Sequence, residues 1–259
     1  MTGVVVNLNA SALPPGLTED RLLGGRVVLR QPAEGLRAAI DPVLLAAAVP
    51  VEPGEAVLEI GAGTGAAAMC LATRCPGLRI TGIDIQRDLI RLLGDNATLN
   101  RLDDQVAGMV GDIRNPPPRL SPGSFDHIMA NPPYLEAGSG TLPPHHGKAQ
   151  AVSEGATDLR TWVRFGLAMV RNRGSITFIH RADRLDSLLA ELTGKAGEIT
   201  IFPLWPGDGK PAKRVIVRAR RGVATPTRLL PGMILHLSDG RFTPAADAIL
   251  RDAAALELI

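Results

Sequence analysis

Asn131-Pro132-Pro133-Tyr134 contains the only tyrosine of the chain, and it follows Phe125-Asp126-His127-Ile128-Met129-Ala130, an apolar run that reads as a buried strand. The two prolines fix φ and donate no N–H, and Pro133 presses Pro132 toward an extended conformation. Asn131 and Tyr134 therefore project from a pre-set turn. An amide oxygen and an aromatic face held rigidly at the carboxyl end of a strand suit gripping a planar group that carries an NH2. The side-chain oxygen of Asn131 and the carbonyl of Pro132 can accept from its hydrogens and leave the nitrogen lone pair free, while Tyr134 stacks on the plane for about 1–3 kcal/mol. In isolation the same residues also describe an ordinary turn with a tyrosine at the edge of the core.

A second cluster lies earlier in the chain. Glu59-Ile60-Gly61-Ala62-Gly63-Thr64-Gly65 follows a strand and opens a helix, so Gly61, Gly63 and Gly65 allow a tight turn and close backbone approach to a nucleoside-bearing ligand. Together with Ala66 the loop also satisfies the relaxed dinucleotide fingerprint. Asp84, ending the next strand, can accept from ribose hydroxyls, and Asp112, after the third, from an adenine amino group or from a helix or loop N–H. Glu59 separates the two cofactor readings, because a carboxylate there disfavours a pyrophosphate and suits the sulfonium and ammonium of S-adenosylmethionine. It equally reads as a buried partner for backbone N–H groups. Methyl transfer from a sulfonium is an in-line displacement in which the protein mainly positions the nucleophile.

These residues need strands and helices to hold them. Short apolar runs at 56–60, 79–83, 106–110, 126–130 and 175–180 alternate with helix-length segments at 64–74, 87–99, 158–171 and 183–193, the pattern of βαβ units and a parallel sheet. Thr64 is expected to cap the first of those helices and Asp158 the third. Runs 198–202 and 214–219, separated by Pro206-Gly207-Asp208-Gly209-Lys210-Pro211, read as an antiparallel hairpin. The fold class is thus α/β, with a Rossmann-like, seven-stranded, mostly parallel sheet ending in an antiparallel hairpin and helices on both faces. Residues 1–50 form an N-terminal extension, in which 1–18 are loose, 22–29 form a small hairpin and Asp41-Pro42 caps and opens a helix. Residues 51–222 form the main domain. Residues 223–259 are a tail with a strand at 233–237, a turn at Asp239-Gly240 and a helix opened by Thr243-Pro244.

Composition narrows the partners. With 45% hydrophobic residues in 259, the chain can build a substantial core. Lys+Arg 28 against Asp+Glu 26 gives a net charge of only +2, so a nucleic-acid partner must be held by a local patch. Lys210, Lys213, Arg214, Arg218, Arg220 and Arg221 place six cations within twelve residues; they suit phosphate contacts, Lys213 and Arg214 above all, or form the solvated face of an edge strand. The long connection Pro143 to Glu154, containing Lys148, is a candidate substrate clamp. His145 and His146 lack companion ligands, so no metal site is expected. Cys70 and Cys75 match neither a zinc spacing nor a disulfide framework and indicate a reducing compartment. No transmembrane or signal segment is expected, and the chain reads as cytoplasmic.

At this point a resemblance can be stated. Asn131-Pro132-Pro133-Tyr134 resembles the Asp/Asn-Pro-Pro-Tyr motif of class I S-adenosylmethionine-dependent methyltransferases that modify amino groups. Leu23-Gly24-Gly25-Arg26 to Gln31-Pro32, Gly35-Leu36-Arg37 and Asp41-Pro42-Val43-Leu44-Leu45-Ala46 resemble the N-terminal segment of bacterial tRNA adenine-N6 methyltransferases. The resemblance spans about residues 20 to 220. It implies S-adenosylmethionine as cofactor, with contacts from Gly61, Gly63, Asp84, Asp112 and Asn131, and an N-terminal segment placing Asp41 and Arg37 near the site. It implies amino-group contacts from Asn131 to Tyr134 and RNA, tRNA in particular, as partner. Protein glutamine methyltransferases of the release-factor type use the same four residues on an amide, but they resemble a helical domain followed by the catalytic one, whereas 55 residues precede Ala56 here. A guanine amino group of rRNA is a further alternative. The tail beyond 222 has no counterpart in the resemblance.

Overall fold

The computed structural model describes residues 13–35, 37–133 and 158–258. Their elements run β1 (Leu17–Leu22), β2 (Val27–Pro32), α1 (Ile40–Ala48), β3 (Ala56–Ile60), α2 (Ala66–Arg74), β4 (Arg79–Asp84), α3 (Arg87–Leu99), β5 (Val106–Val110) and β6 (Phe125–Ala130). They continue through α4 (Leu159–Met169), β7 (Val170–Arg181), α5 (Leu185–Leu192), β8 (Ala196–Trp205), β9 (Arg214–Arg221), β10 (Arg228–Leu229), β11 (Met233–Ile234) and α6 (Pro244–Asp252).

The main sheet has the order β10-β8-β9-β7-β6-β3-β4-β5, with β11 also on β8. Strands β3 to β7 are parallel neighbours, and β9 runs antiparallel between β7 and β8. From β3 the chain winds outward through β4 and β5, then returns to lay β6 on the other side of β3. Such a reversal opens a crevice at the carboxyl ends of the two central strands, where open α/β sheets bind ligands. The sheet reaches nine strands rather than seven because the tail adds β10 and β11 to its edge. One apolar cluster joins Leu44, Leu71 and Leu93 of α1, α2 and α3, and the other joins Val163 and Leu188 of α4 and α5, so both faces are covered as a parallel sheet requires.

Two asparagines one turn apart, Asn96 on α3 and Asn100 at its carboxyl cap, dock the N-terminal hairpin. Asn100 accepts from Val28 N at 2.8 Å and donates to Val28 O at 2.7 Å. Asn96, fully buried, does the same with Arg30 N and O at 2.9 and 3.0 Å, and also donates to Thr64 O at 3.0 Å. The hairpin thus gains a row of partners resembling a strand's, and the glycine loop is tied to it. The tail closes the opposite side: Leu256 N donates to Ala47 O at 2.8 Å, and Arg218 Nη2 donates to Leu258 O at 3.0 Å.

Several local expectations change. Helix α2 begins at Ala66 with Gly65 in the left-handed region as its cap and no side-chain bond from Thr64. Helix α1 begins at Ile40 after Ala39, so Asp41 lies inside its first turn instead of capping it. Residues 17 and 18 belong to β1, whose register with β2 makes the hairpin longer than residues 22–29. Asp158 and Thr243 do cap α4 and α6, accepting from Thr161 N at 2.9 Å and Ala246 N at 3.2 Å. Strand β9 is internal, so its arginines do not guard an edge. Four of the six cations are engaged within the fold: Arg214 pairs with Asp41, Arg218 reaches Leu258 O, Arg220 reaches Arg173 O and Glu198, and Arg221 reaches Val170 O. Lys210 and Lys213 of the same run are exposed.

Candidate functional site

A cavity of about 480 Å³ opens at the carboxyl ends of β3, β4, β5 and β6 and is roofed by residues of the N-terminal extension. Register shows how its centre is built. Ile60 of β3 pairs with Ala130 of β6, so Gly61 and Asn131 each follow immediately after a paired residue, side by side where the strands part. Gly61, with φ +69°, donates its N–H to Ile83 O at 2.8 Å. A Cβ there would lie 2.5 Å from Cη2 of Trp162. The first loop glycine is therefore fixed both by its left-handed backbone and by an indole ring against its Cα.

Glu59, Gly61, Gly63, Asp84, Asp112, Asn131 and Pro133 all line this cavity, as do Asp41 and Arg214, which pair at 2.8 Å between Oδ2 and Nε. Pro132 is buried beside them. Gly65 instead faces the core, where a Cβ would lie 2.8 Å from Leu93 Cγ. Lys213 is exposed and away from the lining. Tyr134 and Lys148, and the pair His145 and His146, lie outside the described residues. Among the described residues no cluster of metal ligands occurs. Sequence reasoning passed over Ile85, Gln86, Ile113, Arg114 and Trp162, which also line the cavity. Ile85 had a faint signal, as an apolar residue directly after a strand-end acid, and it is 52% exposed.

The three carboxylates differ electrically. Glu59 is 6% exposed, and its Oε2 accepts from Ala68 N at 3.0 Å. Burial raises its pKa to about 8, opposed by that N–H and aided by the charge of Asp84. Asp84 is also raised by burial, while Gln86 N at 2.9 Å and Gly63 N at 3.0 Å hold it down. Asp112 is lowered by its bonds to Arg114, with Nη2 to Oδ2 at 2.6 Å.

This donor set tests the two cofactor readings. A pyrophosphate needs the free N–H groups of the helix N-terminus, but Ala68 N, in the first turn of α2, already donates to Glu59. A buried carboxyl beside a second carboxylate fits a cation, whose charge favours the ionised form that burial disfavours. The set fits S-adenosylmethionine better than a dinucleotide.

Comparison with known proteins agrees with this geometry. Residues 57–139 match the methyltransferase domain family. A tRNA1(Val) (adenine(37)-N6)-methyltransferase of Aeromonas hydrophila is 25% identical over 80% of this chain and 86% of its own length. A release factor glutamine methyltransferase of Aliivibrio fischeri is 37% identical, over 32% of this chain and 28% of its own. Among solved structures, a predicted O-methyltransferase from Agrobacterium tumefaciens superposes with a TM-score of 0.70 at 22% identity, over 83% of this chain and 98% of the other. The fold, the matched residues 57–139 and the cation-suited crevice agree on a methyltransferase domain that takes S-adenosylmethionine as its cofactor.

Proposed function

We propose that the chain transfers the methyl group of S-adenosylmethionine to the exocyclic amino group of adenine in RNA, with tRNA as the carrier. The observation that carries this reading is the placing of Asn131 directly beside Gly61, so that an amide acceptor adjoins the glycine loop in one cavity. The cofactor supplies an activated methyl and its own leaving group. The chain supplies position. Asp84 accepts from ribose hydroxyls, Asp112 from the cofactor's adenine amino group, and Glu59 complements the cationic end, while Gly61 and Gly63 let the ligand approach the backbone. Asn131 and the Pro132 carbonyl accept from the target NH2, Pro133 holds the turn, and Tyr134 stacks on a base extruded from its strand. Asp41, fixed by Arg214, keeps α1 against the cavity, and Lys148 and Lys213 contact RNA.

The Aeromonas relative supports adenine in tRNA as target, since the match runs along most of both chains. A protein glutamine amide is the second reading, favoured by the match to the Aliivibrio enzyme over the catalytic part. Free Cys70 and Cys75 and a tRNA substrate fit action in the cytoplasm, and among the described residues no helix is long and apolar enough to cross a membrane. The test is incubation with labelled cofactor and total tRNA, rRNA and release factors, followed by nucleoside and peptide mass analysis. N6-methyladenosine in tRNA is the expected product; label confined to glutamine or guanosine overturns the adenine assignment.

A further inference from the structure

Recognition of RNA by a chain of net charge +2 requires a surface on which cations are not answered by acids. Helix α4 and the connection from β5 to β6 make such a surface. Between Gly111 and Ser124 and between Asp158 and Met169 the sequence holds Arg114, Arg119, Arg160 and Arg164 but only two acids, Asp112 and Asp158. Both acids are engaged, Asp112 by Arg114 and Asp158 by Thr161 N. Arg119, Arg160 and Arg164 are exposed, and none of them enters a salt bridge or donates a hydrogen bond among the described residues. The exposed face of α3, by contrast, sets Arg87 and Arg91 among Asp88 and Asp95, the balanced surface of an ordinary solvated helix.

The fold brings this surface to the rim of the cavity. Trp162 of α4 meets Gly61 at the carboxyl end of β3, whereas Ala168 O accepts from Gly123 N ahead of β6. The helix therefore runs antiparallel to these strands, with Arg160 in the turn nearest the cavity and Arg164 one turn further on the same face. A Cβ on Gly166 would strike Ile176 and touch Ile60 and Ile128, so α4 lies across β3 and β6, the strands that end in Gly61 and Asn131. In the connection, Pro117 closes on Gly111, a cavity residue, and Pro116 to Pro118 stiffen the backbone that presents Arg119. Leu120 joins Leu159 and Val163 in one apolar cluster, which ties connection and helix together.

We propose that Arg119, Arg160 and Arg164 hold the phosphate backbone of the RNA on the flank of α4, while the target base enters the cavity beside Asn131. Exposed guanidinium groups match phosphate oxygens in charge and geometry, and here no acid has to be displaced from them. Extruding a base leaves the flanking backbone at the rim of the pocket, where these cations stand. The inference rests on RNA as the proposed substrate, but not on which base is methylated.

The experiment uses the full chain, S-adenosylmethionine and total tRNA. Arg160→Gln/Arg164→Gln should raise KM for tRNA about tenfold or more, with kcat and S-adenosylmethionine affinity changed less than about twofold. Its tRNA binding, followed against salt on logarithmic axes, should lose about one unit of slope per phosphate contact removed, about 2 in all. Arg160→Lys/Arg164→Lys, which keeps the charge, should bind within about threefold of wild type. Arg87→Gln/Arg91→Gln removes the same charge from α3 and should leave KM and slope unaltered. Equal effects in the α3 and α4 glutamine variants would assign the change to net charge and overturn the proposal, as would an unaltered KM and slope in the α4 variant. If that variant fails to fold, Arg119→Gln decides through a slope lower by about 1. Wild-type protein that methylates tRNA while the α4 variant is unimpaired overturns this proposal alone; wild-type protein that labels only release-factor glutamine and binds no tRNA overturns the RNA reading with it.

Discussion

The two ends of the same parallel sheet carry similar side chains and use them in opposite ways. At the amino end, His127 of β6 meets Ser175 of β7 at 2.7 Å through Nδ1 and Glu55 at 2.8 Å through Nε2. Asp126 accepts from Ala56 N at 2.7 Å and pairs with Arg171 at 2.5 Å. Serine, histidine and carboxylate stand in the order of a nucleophilic triad, yet Ser175 is 4% exposed and the network is closed on itself. At the carboxyl end, Glu59 is buried with a disfavoured charge and Trp162 keeps an unsatisfied donor. Paired polar groups away from a cavity are structural, whereas a carboxyl whose charge is disfavoured at the wall of a cavity is the mark of a binding site.

The contrast gives opposite pH dependences, and this is the largest effect expected. Glu59 binds its proton more tightly folded than unfolded. Its stabilisation is complete below the unfolded value of 4.5 and is lost as pH rises to about 8, on the order of 5 kcal/mol at 1.36 kcal/mol per unit. His127 is lowered, chiefly by burial, so its neutral form is favoured; its contribution is present above 6.5 and is lost as pH falls through the folded value. Urea unfolding of the cofactor-free protein across pH 4 to 9 should show Glu59→Gln flattening the decline on the alkaline side only. Equal slopes in variant and wild type would remove the contrast.

The next effect concerns rate. Asn131→Ala should reduce methyl transfer about 10²- to 10³-fold, as loss of one preorganised hydrogen-bonding group does, while cofactor affinity stays within a few-fold. Equal losses in both, measured by single-turnover kinetics and calorimetry, would make Asn131 a cofactor residue instead of an acceptor-gripping one.

Gly61 and Gly123 separate strain from crowding. Both have positive φ, +69° and +72°, but a Cβ on Gly123 meets nothing within 4 Å whereas one on Gly61 strikes Trp162. Gly123→Ala should cost about 1–2 kcal/mol from backbone conformation alone. Gly61→Ala should cost about 1–3 kcal/mol more through the displaced ring, and should also weaken cofactor binding. Thermal unfolding of the two variants side by side measures the difference.

How much of this was legible in the chain depends on distance along it. The apolar runs placed β3 to β6 within a residue, and α3 matched the expected 87–99 span because Ile90, Leu93 and Ala97 recur at helical spacing. The strand-end acids followed from the same alternation. What sequence could not supply were partners set by the fold. The arginines of β9 looked like a surface stripe until β8 was seen beside them and Asp41 and Leu258 O within reach. Trp162 lies over a hundred residues from Gly61, so neither its packing nor its unsatisfied donor has a local signal. Asn96 and Asn100, which hold β2, carry no local signal either.

The smallest effect is at the closed end, and it tests the comparison most directly. Glu55 as a carboxylate only accepts, so neutral His127 must carry its proton on Nε2 and take the Ser175 hydroxyl at Nδ1. Ser175→Ala removes that donor and leaves Nδ1 buried without one, at about 1 kcal/mol. Because β6 and β7 remain paired on both sides of this position, the strand ends that carry Asn131 should not move. Stability should therefore fall by that amount, with kcat and KM unchanged. A tenfold fall in kcat at unaltered stability would show that the closed network reaches the cavity after all, through the strand whose far end bears Asn131.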